Sequence, residues 1–130
     1  MIVLDASAAV EWLLQTSAGQ SIEARLYSQS ESLHCPHLMD LEVVQVLRRL
    51  VREQSISEHR AGEALQDLEV MRISRYPHFA LLERIWELRN KLSAYDAAYV
   101  ALAEKLEATL VTRDAKLADT SGHAVPVEVF

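Results

Sequence analysis

Four acids stand where a carboxylate needs a reason. Asp5 closes the apolar run Ile2-Val3-Leu4, and Asp114 closes "TLVTRD". Glu42 interrupts the apolar stretch "LEVVQVL", and Asp96 opens the small-residue stretch "YDAAYVALA". Two strand ends, a helix start and a helix interior can converge on one crevice. Four carboxylates cannot share a dry crevice all ionised unless a cation compensates them. Hard oxygen ligands point to Mg²⁺ or Mn²⁺ rather than zinc. The histidines (His34, His37, His59, His78, His123) have no zinc-type spacing with cysteines, and there is no Gly-rich phosphate loop.

Each acid also has a purely structural explanation. Asp5 or Ser7 can cap the helix that follows them. Ser93 and Asp96 have the spacing of a capping box, and an acid in a first helical turn suits the helix dipole. Asp114 can be a turn residue or the cap of "AKLA", with the Thr112 hydroxyl two residues back to orient it. Glu42 has the fewest such explanations. Arg48 and Arg49 lie six and seven residues away, which is not the spacing of a bridge along a helix, and burying an unpaired carboxylate is costly. Asp40 points to another face and is expected to be solvated, as is Asp119.

The elements that must hold these residues follow from pattern. Ile2–Leu4 suits a strand buried on both faces. Helices are expected from Ser7 onward, over Ser21–Gln29, over Leu38–Arg52, over "SISEHRAGEALQDL" with Ser57 as N-cap, over Phe79–Lys91 and over Ser93–Leu106. "SLHCPH", "EVMRIS", "ATLVTRD" and "AVPVEVF" are the remaining strands, the first stopped by Pro36 and the last marked as a sheet edge by Pro126. Alternation without tight hairpin signals means crossover connections. The expectation is a three-layer α/β fold with a mostly parallel central sheet flanked by helices.

Composition narrows the partners. The chain has 130 residues, 50% hydrophobic and 25% charged, which suits one domain over residues 1–130. A net charge of -6 counts against a simple electrostatic nucleic-acid binder, but not against an enzyme whose acids hold a metal. The single Cys35 cannot form an internal disulfide, so a reducing cytoplasm fits; a small buried apolar role is expected of it. No signal peptide and no membrane span are expected. Arg48, Arg49 and Arg52 form the densest basic cluster, which suits contact with nucleic acid or a protein partner, or a merely solvated face.

"MIVLDASA", "PHLMDLEVVQVLRRL", "YDAAYVALAEKL" and "LVTRDAKLA" together resemble, in order and over nearly the whole chain, the motifs of the PIN-domain family. The resemblance is closest to the VapC-type toxins of toxin–antitoxin pairs. It implies a PIN-like fold and an endoribonuclease that uses Mg²⁺ or Mn²⁺ to hydrolyse RNA phosphodiester bonds. It also implies that Asp5, Glu42, Asp96 and Asp114 are the catalytic, metal-binding acids. Thr112 matches the hydroxyl of the family's Thr-x-Asp motif, and Ser7 its small polar residue after the first Asp. Gln45 stands where the family often carries Asn. Further implications are a homodimer and a cognate VapB-type antitoxin whose tail covers the acidic cleft, in a hetero-oligomer.

Other classes compete. A receiver-like phosphoacceptor module shares the size and the acidic strand end, but needs an acid pair after the first strand and a Lys after the last. A haloacid-type phosphatase wants a second Asp at the position of Ser7. A catalytically silent partner with the same fold is the third reading, and the presence of all four acids argues against it.

Overall fold

The computed structural model describes residues 1–130. Five parallel strands form one sheet: β1 (Ile2–Leu4), β2 (Leu33–Pro36), β3 (Ile73–Tyr76), β4 (Thr109–Thr112) and β5 (Val127–Val129), in the order β3-β2-β1-β4-β5. The helices are α1 (Ala6–Leu14), α2 (Ser17–Tyr27), α3 (Leu38–Arg52), α4 (Glu58–Val70), α5 (Leu82–Glu87), α6 (Ala94–Leu106) and α7 (Ala115–Asp119). The three-layer expectation holds, and the sheet is parallel throughout.

Topology places the crevice. The chain steps from β1 to β2 to β3, then returns past β1 to β4. Right-handed crossovers therefore put α1–α4 on one face and α5 and α6 on the other. In keeping with this, α1 packs on α2, α3 and α4, while α6 packs on α5 and on β1, β2 and β4. The order reverses between β1 and β4, and at such a switch point the loops beyond the carboxyl ends diverge and leave a cleft. Asp5 and Asp114 follow those two strands.

Thirty buried residues form one core cluster. β1 is wholly buried, because neighbouring strands cover its edges and helices cover both faces. The seven residues Ala97–Ala103 are all buried, so α6 is a rigid platform. Small side chains let it lie close on the sheet.

Several boundaries differ from expectation. The second helix starts earlier, at Ser17, because the Thr16 hydroxyl accepts from Gly19 N and supplies a cap. β2 ends at Pro36, as expected, with the proline as the strand's last residue. His37 N donates to Tyr76 O, so the ring nitrogen of Pro36 faces the β1 side, where pairing has ended at His34. "EVMRIS" is strand only from Ile73; Glu69 and Val70 still belong to α4. The helix expected over Phe79–Lys91 is a 3₁₀ turn at Phe79–Leu81 followed by the short α5. Leu81 and Leu88 are buried, whereas Phe79, Leu82 and Trp86 are exposed. Ser57 caps α4 as expected, accepting from Arg60 N at 3.0 Å. Asp40 is not a free solvated acid: Arg75 on β3 grips it with two hydrogen bonds of 2.7 and 3.0 Å.

Candidate active site

Asp5 is the anchor. It caps α1, with Oδ1 accepting from Ala8 N at 3.0 Å and from the Ser7 hydroxyl at 2.6 Å. Leu4 is level with Val111 across the β1–β4 ladder, so Asp5 stands beside Thr112. The Thr112 hydroxyl donates to Asp5 Oδ2 and accepts from Asp114 N at 2.9 Å. Ser7 Oγ accepts from Arg113 N at 3.0 Å. Two hydroxyls thus tie the first and last motifs into one knot. Cap and site residue are the same group in Asp5, since its two oxygens keep lone pairs beyond these bonds.

The other three acids close in from separate elements. Asp96 sits in the first turn of α6, where Ser93 Oγ accepts from its N–H at 3.1 Å. The return bond of a capping box is not formed, so the Asp96 carboxylate is not committed to the Ser93 backbone. Asp114 caps α7 through Lys116 N at 2.9 Å. Glu42 reaches in from α3, and its Oε1 is buried with no hydrogen-bond partner.

The electrostatics show the convergence. Burial raises the pKa of Asp5, against the hydrogen bonds from Ser7, Thr112 and Ala8, and the Asp96 charge pushes the same way. Burial, then Asp5 and Asp96, lift Glu42 to about 7. Asp96 is raised by burial and by Asp114, eased by Ser93 and Lys116. Asp5, Glu42 and Asp96 each therefore feel another acid of the set. Arg113, the nearest arginine in sequence, turns outward to Glu11 and the Phe130 carbonyl, so it does not neutralise them.

Sequence reasoning missed Tyr99. It lies one turn beyond Asp96 and is 2% exposed, and its hydroxyl is the only other buried side-chain polar atom without a partner. Burial and the charges of Glu42 and Asp5 hold it well above the usual phenol range. It lies near enough to ease Glu42 ionisation without a hydrogen bond of normal geometry. The signal was present, since an aromatic residue that carries a hydroxyl broke a run of small apolar ones.

Other sequence candidates lie apart from the acids. Arg48, Arg49 and Arg52 are exposed on the second half of α3. Asp119 is exposed at the end of α7. Cys35 is fully buried, with burial pushing its thiol up to about 12, as an inert apolar role requires. A cavity of about 850 Å³ opens near the amino ends of β2 and β3, between α2 and α4. None of the four acids lines it, so its size says nothing about the chemistry.

A divalent cation fits these residues. No three His, Cys, Asp or Glu side chains form a ready-made metal cage. Zinc needs such a cage, whereas Mg²⁺ keeps several waters and takes one or two carboxylates directly. Two orphaned polar atoms and mutually repelling carboxylates are what a hydrated cation would satisfy.

The PIN domain family model matches residues 2–122. The chain is 46% identical over 129 residues to the VapC ribonuclease Mb0985 of Mycobacterium bovis, covering 99% of this chain and 98% of that protein. Among solved structures, the fold superposes on Mycobacterium tuberculosis VapC20, a sarcin–ricin loop cleaving toxin. The TM-score is 0.69 at 16% identity, covering 95% of this chain and 97% of that one. It also superposes on VapBC2 from Rickettsia felis bound to a DNA fragment from its promoter. There the TM-score is 0.66 at 16% identity, covering 100% and 99%.

Proposed function

The chain belongs to the PIN-domain family and within it to the VapC ribonucleases, and from that premise we propose that it is a toxin that cuts RNA. The observation that carries this reading is a chain of mutually repelling carboxylates, Asp5 and Asp96 against Glu42 with its partnerless Oε1, and Asp114 against Asp96. The relatives favour the nuclease over the receiver-like module and the silent partner.

Asp5, Asp96, Asp114 and Glu42 are the residues to hold Mg²⁺ or Mn²⁺. When bound, the ion would neutralise charge on the phosphate oxygens and acidify a water. Asp5 cannot rotate, because three donors fix its two oxygens. Asp96 and Asp114 offer carboxylates from helix starts whose backbones are held by capping bonds. Glu42 Oε1, free of any other bond, accepts the proton of the attacking water. The water oxygen bonds to phosphorus, the bond to the leaving ester oxygen breaks, and that oxygen takes a proton from solvent water to leave as the alcohol.

We extend the reading to assembly. An acidic cleft on a chain of charge -6 suits an antitoxin tail with a basic residue. Leu41 and Val44 on α3, and Phe79, Leu82 and Trp86 beyond β3, are exposed large apolar side chains that a second copy could cover. Leu38 N donates to His78 Nε2 at 3.1 Å, which brings the two segments together. These residues support a homodimer. No helix is long and apolar enough to cross a membrane.

The test is cleavage of total and transfer RNA by the purified chain with Mg²⁺, Mn²⁺ or EDTA, beside Asp96→Asn. Discrete fragments that need metal and vanish in the variant are expected. No fragments with either metal would sink the reading.

A further inference from the structure

An acidic nuclease has an electrostatic problem: its substrate is a polyanion, and its own carboxylates repel the strand on either side of the scissile phosphate. Cations near the site must offset that repulsion, and three of the ten arginines are held tightly by acids elsewhere. Arg25 pairs with Glu31 and Glu128, Arg75 with Asp40, Arg84 with Glu104 and Glu87. Arg48 and Arg52 make no ion pair, and Arg49 has only a loose 3.9 Å contact to Glu53, with both side chains more than half exposed.

These three share one helix with Glu42. Gln45, Arg49 and Arg52 follow Glu42 at three, seven and ten residues, which keeps them along one flank of α3. At 1.5 Å per residue, Arg49 and Arg52 lie about 10 and 15 Å along the axis from Glu42. Gln45, Arg48, Arg49, Arg52 and Glu53 line a recess of about 440 Å³ with no hydrophobic residue in it. A basic last turn suits the dipole of any helix end. That alone does not explain a recess lined with three arginines and an amide, starting one turn beyond the orphaned carboxylate.

We propose that this face of α3 is the track that holds the phosphates of the RNA strand to one side of the cut. The inference rests on the ribonuclease reading and deepens it. Arg48, Arg49 and Arg52 neutralise backbone phosphates, and Gln45 donates to phosphate or ribose oxygens. None of them reads a base, so the track contributes affinity and register without sequence preference.

The test compares the parent chain with Arg48→Gln/Arg49→Gln/Arg52→Gln and with the triple Lys variant. Binding of a labelled oligouridylate is measured in EDTA against salt, and cleavage of transfer RNA is measured with Mg²⁺. The Gln triple should bind roughly tenfold or more weakly, with the salt slope shallower by about 2, since each phosphate contact on a single strand contributes about 0.7. Its cleavage defect should fall on KM rather than kcat, and the Lys triple should recover most of the affinity. An unchanged slope and KM in a folded Gln triple overturn the proposal. So does a change in sedimenting mass without a change in RNA binding, which would make the face a protein contact. A parent chain that cuts no RNA instead overturns the function on which the proposal rests.

Discussion

Thr112 and Glu42 show how differently two polar groups can be held in one crevice. Thr112 is fully buried, and its hydroxyl both donates to Asp5 and accepts from Asp114 N. Thr112→Val keeps the shape and removes both bonds. Groups that orient metal ligands contribute roughly 10- to 100-fold, so cleavage should fall about that far, with Mg²⁺ affinity falling in parallel. A Mg²⁺ titration of cleavage rate reads this directly. Glu42 is the opposite case, a half-buried carboxyl whose Oε1 has no hydrogen-bond partner and whose burial Tyr99 offsets only in part. Its unfolded pKa is near 4.5 and its folded pKa about 7. Between those values the folded chain keeps a proton that the unfolded chain has released. Stability from the neutral carboxyl is therefore full below about 4.5 and is lost as pH climbs to about 7. In EDTA the melting temperature should fall across that window. Glu42→Gln should flatten the fall in part and stabilise the chain by on the order of 1 kcal/mol at pH 8, while cleavage is lost. Mg²⁺ should raise the melting temperature of the parent more at pH 8 than at pH 5, because ligands must shed protons to bind it. An Mg²⁺ effect equal at both pH values would contradict this account of the acids.

The elements differ in how tightly they are specified. α1 and α2 meet at Gly19, where a Cβ would lie 1.9 Å from the Glu11 carbonyl oxygen. Backbone cannot give way there, so Gly19→Ala should cost about 3 kcal/mol or prevent folding. Gly62 lies inside α4, and a Cβ there would meet nothing within 4 Å. Gly62→Ala should therefore stabilise by about 0.5–1 kcal/mol through helix propensity. Urea denaturation of the two variants checks both signs at once. The helices with strong local signals were legible in sequence: α3 matches its expected span, and α4 has Ser57 as its expected cap. The segment after β3 was not. Its apolar spacing resembles a helix face, but only Leu81 and Leu88 are buried, with Ile85 packed on the core in part, and the helix shortens to Leu82–Glu87.

At the scale of the whole molecule, exposed apolar residues and charge set the partners. If Leu41, Val44, Leu82 and Trp86 meet their counterparts in a second copy, then Leu82→Asp/Trp86→Glu should convert a dimer to a monomer in sedimentation velocity. Urea stability at low protein concentration should change little, since both residues are more than half exposed. A parent chain that sediments as a monomer at tens of micromolar would remove the dimer from the proposal. Adding a basic antitoxin tail should protect transfer RNA, and salt should weaken that protection, because the attraction is between exposed charges.

Asp5, Glu42, Asp96 and Asp114 drew attention as sequence alone because each breaks a local rule: an acid ending an apolar strand, or an acid among apolar neighbours. The α/β alternation, the parallel sheet and the buried α6 were likewise set by short-range pattern, since hydrophobic period and the lack of hairpin turns are local properties. Other features depend on residues far apart in the chain. The Asp5–Thr112 bond spans 107 residues, and the unmet hydroxyl of Tyr99 has meaning only once α6 lies opposite α3. Asp40 looked solvated until β3 delivered Arg75 to it. Pattern determines what each segment becomes, but the partners of a buried polar atom are chosen by topology, which brings distant segments to the same end of the sheet.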